Sequence, residues 1–286
     1  MNAAVFDCFA TKNTDFHRAH LALRATDAHA CKKQSMTVFY FSPCGSTRAY
    51  AETAAQVLRE AGHAVACMDL TEGGSKAARC GGALCFLCCP VYEAGAPALF
   101  LERLATLELR FESAALLVTY GGVAAGHALD DLARFARAQG MRLAGAARVP
   151  ERHCFLTRSF AFTEEKKRWT RAFACAAMEN AAAGKNVKIG RGARHALAAR
   201  FVGRFRARFF PPPGTDPAKC VRCGACEAAC PSGALKAGGT DAARCIRCVG
   251  CVSVCPTGAR MFRAHILARA GLRAAALVPG KPRMYV

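Results

Sequence analysis

Residues 220–234 read CVRCGACEAACPSGA, and residues 245–259 read CIRCVGCVSVCPTGA. A shift of 25 residues superimposes all four cysteines and the following proline of one run on those of the other, so the pattern C-x2-C-x2-C-x3-C-P is duplicated. Three thiolates at two-residue gaps can wrap three corners of an iron–sulfur cubane, and the fourth cysteine of such a run ligates the other of two clusters. Small neighbours such as Gly224 and Gly250 let backbone N–H groups approach the sulfurs.

The duplicated pattern predicts two sets of four cysteine ligands, each completed by the fourth cysteine of the other run. Structural zinc also uses four cysteines, but zinc sites usually take two separated C-x2-C pairs rather than three close cysteines and a fourth before proline. The region from residue 217 to about residue 263 resembles a bacterial ferredoxin with two [4Fe-4S] clusters. The first expected ligand set is Cys220, Cys223, Cys226 and Cys255, and the second is Cys245, Cys248, Cys251 and Cys230.

The chain has 286 residues and 18 cysteines, and 53% of its residues are hydrophobic and 21% charged. That composition excludes wholesale disorder, and the length suffices for hydrophobic cores that need no disulfide framework. Residues 1–10 contain Asp7 and lack both a basic start and a sustained apolar run, so we expect no secretory signal and a reducing, cytoplasmic location. The charge-free run 113–129 is at the lower limit for a membrane span and contains Gly121, Gly122 and His127, so we expect no transmembrane segment.

The formal net charge of +20 is unevenly distributed. Residues 184–286 hold 19 Lys and Arg against three Asp and Glu, which is +16, so the composition changes near residue 184. The Pro-Pro-Pro-Gly run at residues 211–214 is a stiff connector and gives a second boundary signal. We expect an N-terminal extension at 1–35 that is either disordered or translated in error upstream of a true start at Met36. The parts expected after it are a domain at 36–183, a basic and proline-rich linker at 184–216, a cluster domain at 217–265 and a C-terminal tail at 266–286.

Residues 36–183 alternate between strand and helix patterns. Strands are expected at 36–41, 63–70, 83–92, 114–120 and 142–149, and helices at 47–61, 96–107, 128–139 and 163–183. Five strands alternating with helices predict an α/β domain with a doubly wound parallel sheet that is covered on both faces. In such a sheet, ligands bind beyond the carboxyl ends of the strands.

The loop after the first strand reads SPCGST at residues 42–47 and leads into a helix. Hydroxyls, a glycine and the positive end of a helix dipole suit a phosphate, and a Ser or Thr helix cap is the simpler alternative. The Gly-Lys pair of a nucleotide P-loop is missing. Two more loops at the same sheet edge carry Tyr92 and Tyr120, whose rings can stack on an isoalloxazine.

Together these loops make residues 36–183 resemble the flavodoxin-like domain, whose FMN phosphate loop reads roughly Ser/Thr-x-Thr-Gly-x-Thr. Ser42, Gly45 and Thr47 match that pattern. Cys44 stands where threonine is usual, and Pro43 contributes no backbone N–H. The resemblance implies FMN as a cofactor. The flavin-binding residues that it implies are Ser42, Cys44, Gly45, Ser46, Thr47, Pro90, Val91, Tyr92, Tyr120, Gly121 and Gly122.

The order of the parts resembles bacterial flavodoxin–ferredoxin fusion proteins over most of residues 36–263. It implies an electron carrier, rather than a stand-alone enzyme, that relays electrons between two [4Fe-4S] clusters and FMN and on to a redox partner. We expect an acidic partner because the cluster half is basic. The alternatives are a flavin-dependent reductase of a small substrate and a basic nucleic-acid-binding iron–sulfur protein. No G-x-G-x-x-G fingerprint for a nicotinamide cofactor follows any strand, and no catalytic residue is predicted.

Other features have simpler explanations. His153 beside Cys154 is a weak sign of a nucleophile pair, because sequence neighbours need not face each other. Phenylalanines and arginines at helical spacing in residues 191–210 predict a basic amphipathic helix that packs between the domains, or else touches an anionic membrane surface or nucleic acid. We expect Arg222 and Arg247, equivalent in the two runs, to raise the cluster potentials. Four cysteines near the third strand should pack as small hydrophobes: Cys80, Cys85, Cys88 and Cys89.

Overall fold

The computed structural model of the protein describes residues 34–72, 78–122, 124–156, 160–190, 210–236, 239–276 and 280–286. Two predictions concern segments outside these ranges. Nearly all of the extension expected at 1–35 and of the basic helix expected at 191–210 lies outside the described residues. Within the described residues, no helix is both long enough and apolar enough to cross a membrane.

The first half of the chain alternates strands and helices, as the sequence predicts. The strands are β1 (Ser35–Tyr40), β2 (Ala64–Asp69), β3 (Arg79–Pro90), β4 (Glu108–Tyr120) and β5 (Arg142–Pro150). The helices are α1 (Ser46–Glu60), α2 (Ala98–Ala105), α3 (Ala128–Ala138) and α4 (Glu164–Ala182). The five strands are parallel and lie in the order β2-β1-β3-β4-β5. This is the flavodoxin-like order of a doubly wound sheet.

Helices cover both faces of the sheet, with α2 and α3 on one face and α1 and α4 on the other. The alternation along β3 places Cys85 and Cys89 in the first layer and Cys88 in the second. All three side chains are fully buried, and burial raises the pKa of each thiol. These cysteines are therefore neutral core residues, as the sequence predicts.

Residues 210–265 form a small unit around the two cysteine runs. Its elements are β6 (Gly214–Thr215), α5 (Ala225–Ala228), β7 (Leu235–Lys236), β8 (Gly239–Thr240), α6 (Gly250–Ser253) and β9 (Arg260–Met261), followed by α7 (Ile266–Ala276). Strand β6 pairs antiparallel with β9, and β7 pairs antiparallel with β8. The third cysteine of each run lies in a single-turn helix, α5 in the first run and α6 in the second.

The duplication in the sequence is repeated in the backbone. The equivalent residues Arg222 and Arg247 have φ angles of 54° and 57°. The next equivalent pair, Gly224 and Val249, has φ angles of 75° and 55°. A non-glycine residue in this left-handed region costs about 1–2 kcal/mol, so the same strained turn is held in place in both runs.

The prediction of five strands is incomplete, because the sheet has a sixth. Strand β10 (Arg283–Tyr285) pairs antiparallel with β5, with Arg283 opposite Arg148 and Tyr285 opposite Ala146. Part of the segment predicted as a C-terminal tail therefore returns to the first domain. Three residues are too few to show the alternation of apolar and polar side chains that indicates a strand. The strand also pairs with residues far away in the sequence, so local patterns do not predict it. The added strand covers an edge of β5 that would otherwise expose unpaired backbone groups.

Phe173 of α4 gives a test of this core. It is fully buried, and its ring meets the Phe86 ring of β3 edge-on with centroids 6.1 Å apart. We expect Phe173→Ala to lower the free energy of unfolding by about 3–5 kcal/mol, measured by urea denaturation followed by circular dichroism. Leu267→Ala is the control, because Leu267 is 67% exposed and its loss should cost less than about 0.5 kcal/mol. Equal losses in the two variants would contradict the described packing.

Candidate functional site

The loops after β1, β3, β4 and β5 meet at the carboxyl edge of the sheet and enclose a cavity of about 470 Å³. Gly45 lines a second cavity of about 220 Å³, which shares Cys44 and Ser46 with the first. Gly122 lines neither of these two cavities. The other predicted flavin-binding residues all line the larger cavity: Ser42, Cys44, Ser46, Thr47, Pro90, Val91, Tyr92, Tyr120 and Gly121.

Two hydroxyls of the first loop hold this edge of the sheet together. The Ser42 hydroxyl accepts a hydrogen bond from the Arg48 backbone N–H at 2.9 Å, and the Ser42 N–H donates to Thr71 Oγ1 at 2.7 Å. Thr47 is fully buried and shares a hydrogen bond of 2.8 Å with the Thr119 hydroxyl of β4. Ser42 thus satisfies a backbone N–H in the first turn of α1, as a capping side chain does.

Cys44 connects the first loop to the second cysteine run. Its Sγ donates a hydrogen bond to the Cys248 carbonyl oxygen at 3.0 Å, although the two residues are 204 positions apart. The Cys154 side chain and burial both raise the pKa of the Cys44 thiol, so Cys44 is protonated at neutral pH. The substitution that departs from the flavodoxin-like phosphate loop therefore makes a contact with the cysteine-rich unit.

Both predicted tyrosines already have protein partners in the cavity wall. The Tyr92 ring meets the Phe41 ring edge-on at 6.5 Å. Tyr120 is 9% exposed, and a Cβ atom built on Gly280 would lie 2.5 Å from its hydroxyl oxygen, so the C-terminal segment crosses directly over that hydroxyl. Burial raises the pKa of both phenols. Both rings are therefore neutral and held in fixed positions.

The loop after β5 supplies cavity residues that are not among the predicted flavin-binding residues. Ligands of such sheets bind beyond the carboxyl ends of the strands, and applying this rule to β5 as well would have predicted them. Gly121 allows His153 to pack closely, because a Cβ atom at Gly121 would lie 2.4 Å from His153 Cδ2. His153 Nδ1 lies 4.0 Å from Cys154 Sγ, which is too long for a nucleophile–base pair. The unassigned residues of this loop are Glu151, Arg152, His153, Cys154, Phe155 and Phe160.

Glu151 is a buried carboxylate between the two cavities, and it lines both of them. Its side chain is 5% exposed, and Lys166 Nζ lies 2.7 Å and 2.8 Å from its two oxygens. The Tyr50 hydroxyl donates to the same carboxylate, and burial together with this bond raises the pKa of Tyr50. The charge of Glu151 is thus compensated inside the domain by a partly exposed lysine.

The cysteine-rich unit packs on the carboxyl edge of the sheet and closes the larger cavity. Phe155 of the first domain stacks on Phe262 with ring centroids 4.0 Å apart. Arg103 of α2 donates to the carbonyl oxygens of Leu70 at 2.6 Å and Thr71 at 2.7 Å, and its other terminal nitrogen donates to the Pro231 carbonyl oxygen. Residues of this unit also line the cavity: Phe210, Ile246 and Arg247.

The second predicted ligand set surrounds a space of its own. A narrow cavity in the cysteine-rich unit is lined by all four of its members: Cys230, Cys245, Cys248 and Cys251. Cys248 and Cys251 are each 7% exposed, and the Ala234 backbone N–H donates to Cys230 Sγ at 3.3 Å. Four thiols lining one cavity, with a main-chain donor to one of them, match the donor set of an iron–sulfur cluster. In the described part of the chain, no three side chains of His, Cys, Asp or Glu lie close enough together to bind a single metal ion. The thiolates around a cubane are further apart than those around one metal ion.

The first predicted set lies nearer the surface. Cys223 is exposed, and Cys220, Cys226 and Cys255 are half-buried. The Arg260 backbone N–H donates to Cys255 Sγ at 3.4 Å, so the fourth cysteine of each run accepts a main-chain hydrogen bond. The two sets therefore differ in depth, with the second set against the first domain and the first set facing outward.

The family described as 4Fe-4S binding domain matches residues 213–236. Comparison with curated proteins finds no significant match. Among solved structures, the chain is similar to rubredoxin oxygen:oxidoreductase from Desulfovibrio gigas, with a TM-score of 0.39, 14% identity and coverage of 52% of this chain and 36% of that one. It is also similar to two-electron reduced flavodoxin from Megasphaera elsdenii, with a TM-score of 0.35, 18% identity and coverage of 49% of this chain and 98% of that one. The chain thus spans about a third of the length of the Desulfovibrio gigas protein.

The strand order of the sheet defines the first domain, and the family match with its cysteine pattern defines the second. The chain is a flavodoxin-like domain fused to a 4Fe-4S ferredoxin domain. The match covers the first cysteine run of the ferredoxin domain, and the second run repeats the same turns 25 residues later.

His153, at the junction of the flavodoxin-like and ferredoxin domains, gives a prediction for pH dependence. Burial lowers its pKa from 6.5 to about 4, so the unfolded chain takes up a proton in that interval and the folded chain does not. Stability should therefore fall as pH drops from about 6.5 to about 4. We expect a smaller fall in His153→Phe than in the wild type, measured as the urea midpoint at pH 7.5 and pH 5. His265→Gln, at an exposed position, is the control and should keep the wild-type dependence. An unchanged dependence in His153→Phe would contradict the assignment.

Proposed function

We propose that this chain is an iron–sulfur flavoprotein that relays electrons between two [4Fe-4S] clusters and FMN, and on to a redox partner. The hydrogen bond of 3.0 Å between Cys44 Sγ and the Cys248 carbonyl oxygen carries the proposal. It joins the loop that resembles an FMN phosphate loop to Cys248 of the second ligand set, which is the more buried one and is called the inner set below; the first set is called the outer set. When bound, flavin exchanges one or two electrons, and each cluster exchanges one.

The difference in depth between the two ligand sets supports an order of transfer. The first set includes the exposed Cys223, and the second set includes the buried Cys248 and Cys251. Ile246 and Arg247 lie between ligands of the second set and also line the larger cavity. In this proposal an outer cluster exchanges electrons with the partner and an inner cluster exchanges them with the flavin.

The residues around the larger cavity would hold a flavin and exclude water from it. Tyr92 and Tyr120 contribute aromatic walls, and Phe155, stacked on Phe262, closes the side toward the ferredoxin domain. Ile246 and Arg247 of that domain form part of the cavity wall, which favours the relay over a reductase. We propose that residues 36–183 and β10 form the flavin domain, with residues 184–216 as the linker and 217–265 as the cluster domain.

The surface around the outer ligand set suits an acidic partner protein. Val221 is 65% exposed and Val254 is 41% exposed, and the exposed Arg222 and Lys219 lie next to cysteines of the same set. Apolar side chains between basic ones favour docking to a negatively charged surface, with an association rate that falls as salt rises.

The composition of the purified protein tests both halves of the proposal. We expect anaerobically purified protein to contain about eight irons, since each cubane holds four, and one FMN per chain. Cys248→Ser should lose iron from the inner set, whereas Cys67→Ser, at an exposed position outside both sets, should retain all of it. Iron and flavin assays with an optical spectrum measure the outcome. Protein with iron but no flavin would contradict the flavin half, and zinc in place of iron would contradict the cluster half.

The contact between Cys44 and Cys248 gives a kinetic test of the relay. Cys44→Ala removes the hydrogen bond between the flavin loop and the inner ligand set, so we expect slower electron exchange between clusters and flavin with the iron content unchanged. Because Cys44 also lines the flavin cavity, the rate is expressed per bound flavin. The measurement is the rate of flavin bleaching after rapid anaerobic mixing with dithionite. Cys67→Ala is the matched control on β2 and should keep the wild-type rate. Equal rates in the two variants would count against transfer across this contact.

A further inference from the structure

Arg260 breaks the symmetry between the two cysteine runs. It lies in β9 and is 2% exposed. The residue at the equivalent position of the first run, 25 residues earlier, is Leu235, which is 5% exposed and packs in the apolar cluster of the ferredoxin domain. An arginine therefore occupies a buried position that the duplication fills elsewhere with a leucine.

The guanidinium of Arg260 is held by neutral oxygen atoms. Its Nη1 donates to Thr215 Oγ1 at 2.6 Å, and its Nη2 donates to the Pro213 carbonyl oxygen and to Thr240 Oγ1, both at 2.9 Å. These contacts come from β6, from the residue before it, and from β8. They fix the position of the charge in the interior of the domain.

Arg260 also touches a cysteine of each ligand set. Its backbone N–H donates to Cys255 Sγ of the outer set at 3.4 Å, and its Nη2 lies 3.7 Å from Cys251 Sγ of the inner set. The guanidinium thus lies beside the inner set, and the backbone of the same residue contacts the outer set.

We propose that Arg260 sets the reduction potentials of both clusters, an inference that rests on the proposed function. Reduction adds one electron and therefore one negative charge to a cluster. A cation held nearby in a poorly solvated interior stabilises the reduced form, because the interaction is weakly screened there. Arg260 raises both potentials together and keeps the two clusters close enough in potential for electrons to pass in either direction.

The other two arginines of the cysteine runs are less suited to this role. Arg222 is exposed, so water and salt screen its charge. Arg247 is 8% exposed, and its guanidinium donates to the carbonyl oxygens of Phe210 at 2.8 Å and Cys245 at 2.9 Å. Its contacts lie in the second run and at the first residue of the cysteine-rich unit. The sequence leads us to expect that Arg222 and Arg247 raise the cluster potentials. We add Arg260 to them, because it is the one of these three arginines that contacts cysteines of both sets.

The test is a potentiometric titration of the holoprotein, with each cluster followed by electron paramagnetic resonance. We expect Arg260→Met and Arg260→Gln to shift both midpoint potentials to more negative values. Arg260→Lys should keep both potentials near the wild-type values because it keeps the charge. Arg222→Gln is the control and should shift the outer cluster alone, and by less. Iron content and thermal unfolding are measured on the same samples.

The outcomes separate this inference from the proposed function. Potentials that stay at the wild-type values in an uncharged variant with full iron content would overturn the role of Arg260. Loss of iron from both uncharged variants, with Arg260→Lys intact, would make Arg260 a structural residue and would also overturn it. Wild-type protein that holds no iron–sulfur clusters would overturn the proposed function, and this inference with it. Two clusters with potentials insensitive to Arg260 would overturn this inference alone.

Discussion

The contact between the carboxyl edge of the parallel sheet and the second cysteine run is the constraint on which the functional end of the molecule depends. Cys44 Sγ bonds the Cys248 carbonyl oxygen, and a Cβ atom on Gly250 would lie 2.8 Å from the Pro43 carbonyl oxygen, so the two backbones approach closely. A glycine at position 250 permits that approach. This contact, together with the Phe155–Phe262 stack and the Arg103–Pro231 hydrogen bond, places the cavity beside the inner thiols.

Much of the fold and of the site follows from local sequence patterns. The ends of β1 to β5 and of α1 to α4 agree with the predicted ends to within two residues, except that β3 and β4 begin at Arg79 and Glu108 rather than at 83 and 114. The agreement arises because each element carries its own apolar pattern. The cysteine sets follow from spacing that any chain would need in order to wrap a cubane. The loop residues after β1, β3 and β4 come together because parallel strands end at a common edge.

Three features that only the structure reveals depend on contacts between residues far apart in the sequence. Strand β10 is three residues long and pairs with residues more than 130 positions away. From the sequence, the Cys44 thiol is only a weak hydrogen-bond donor to a phosphate. The structure shows that it instead donates to the Cys248 carbonyl oxygen. Arg260 is one basic residue in a basic domain, and only burial beside both ligand sets distinguishes it from the others. The net charge of a domain is thus a weak guide to the electrostatic potential at a buried site, because one desolvated cation can contribute more there than many screened surface cations.

Because the chain returns to the sheet at β10, the movement of the two domains relative to each other is restricted. The chain leaves the first domain after α4 and comes back to it at β10, so the ferredoxin domain is inserted within the flavodoxin-like domain and anchored at both ends. A module held by one flexible connector samples a broad range of distances from its neighbour, whereas a doubly anchored one samples a narrow range. Tunnelling rates fall steeply with distance, and this connectivity would hold the proposed cluster and flavin sites at a nearly constant separation.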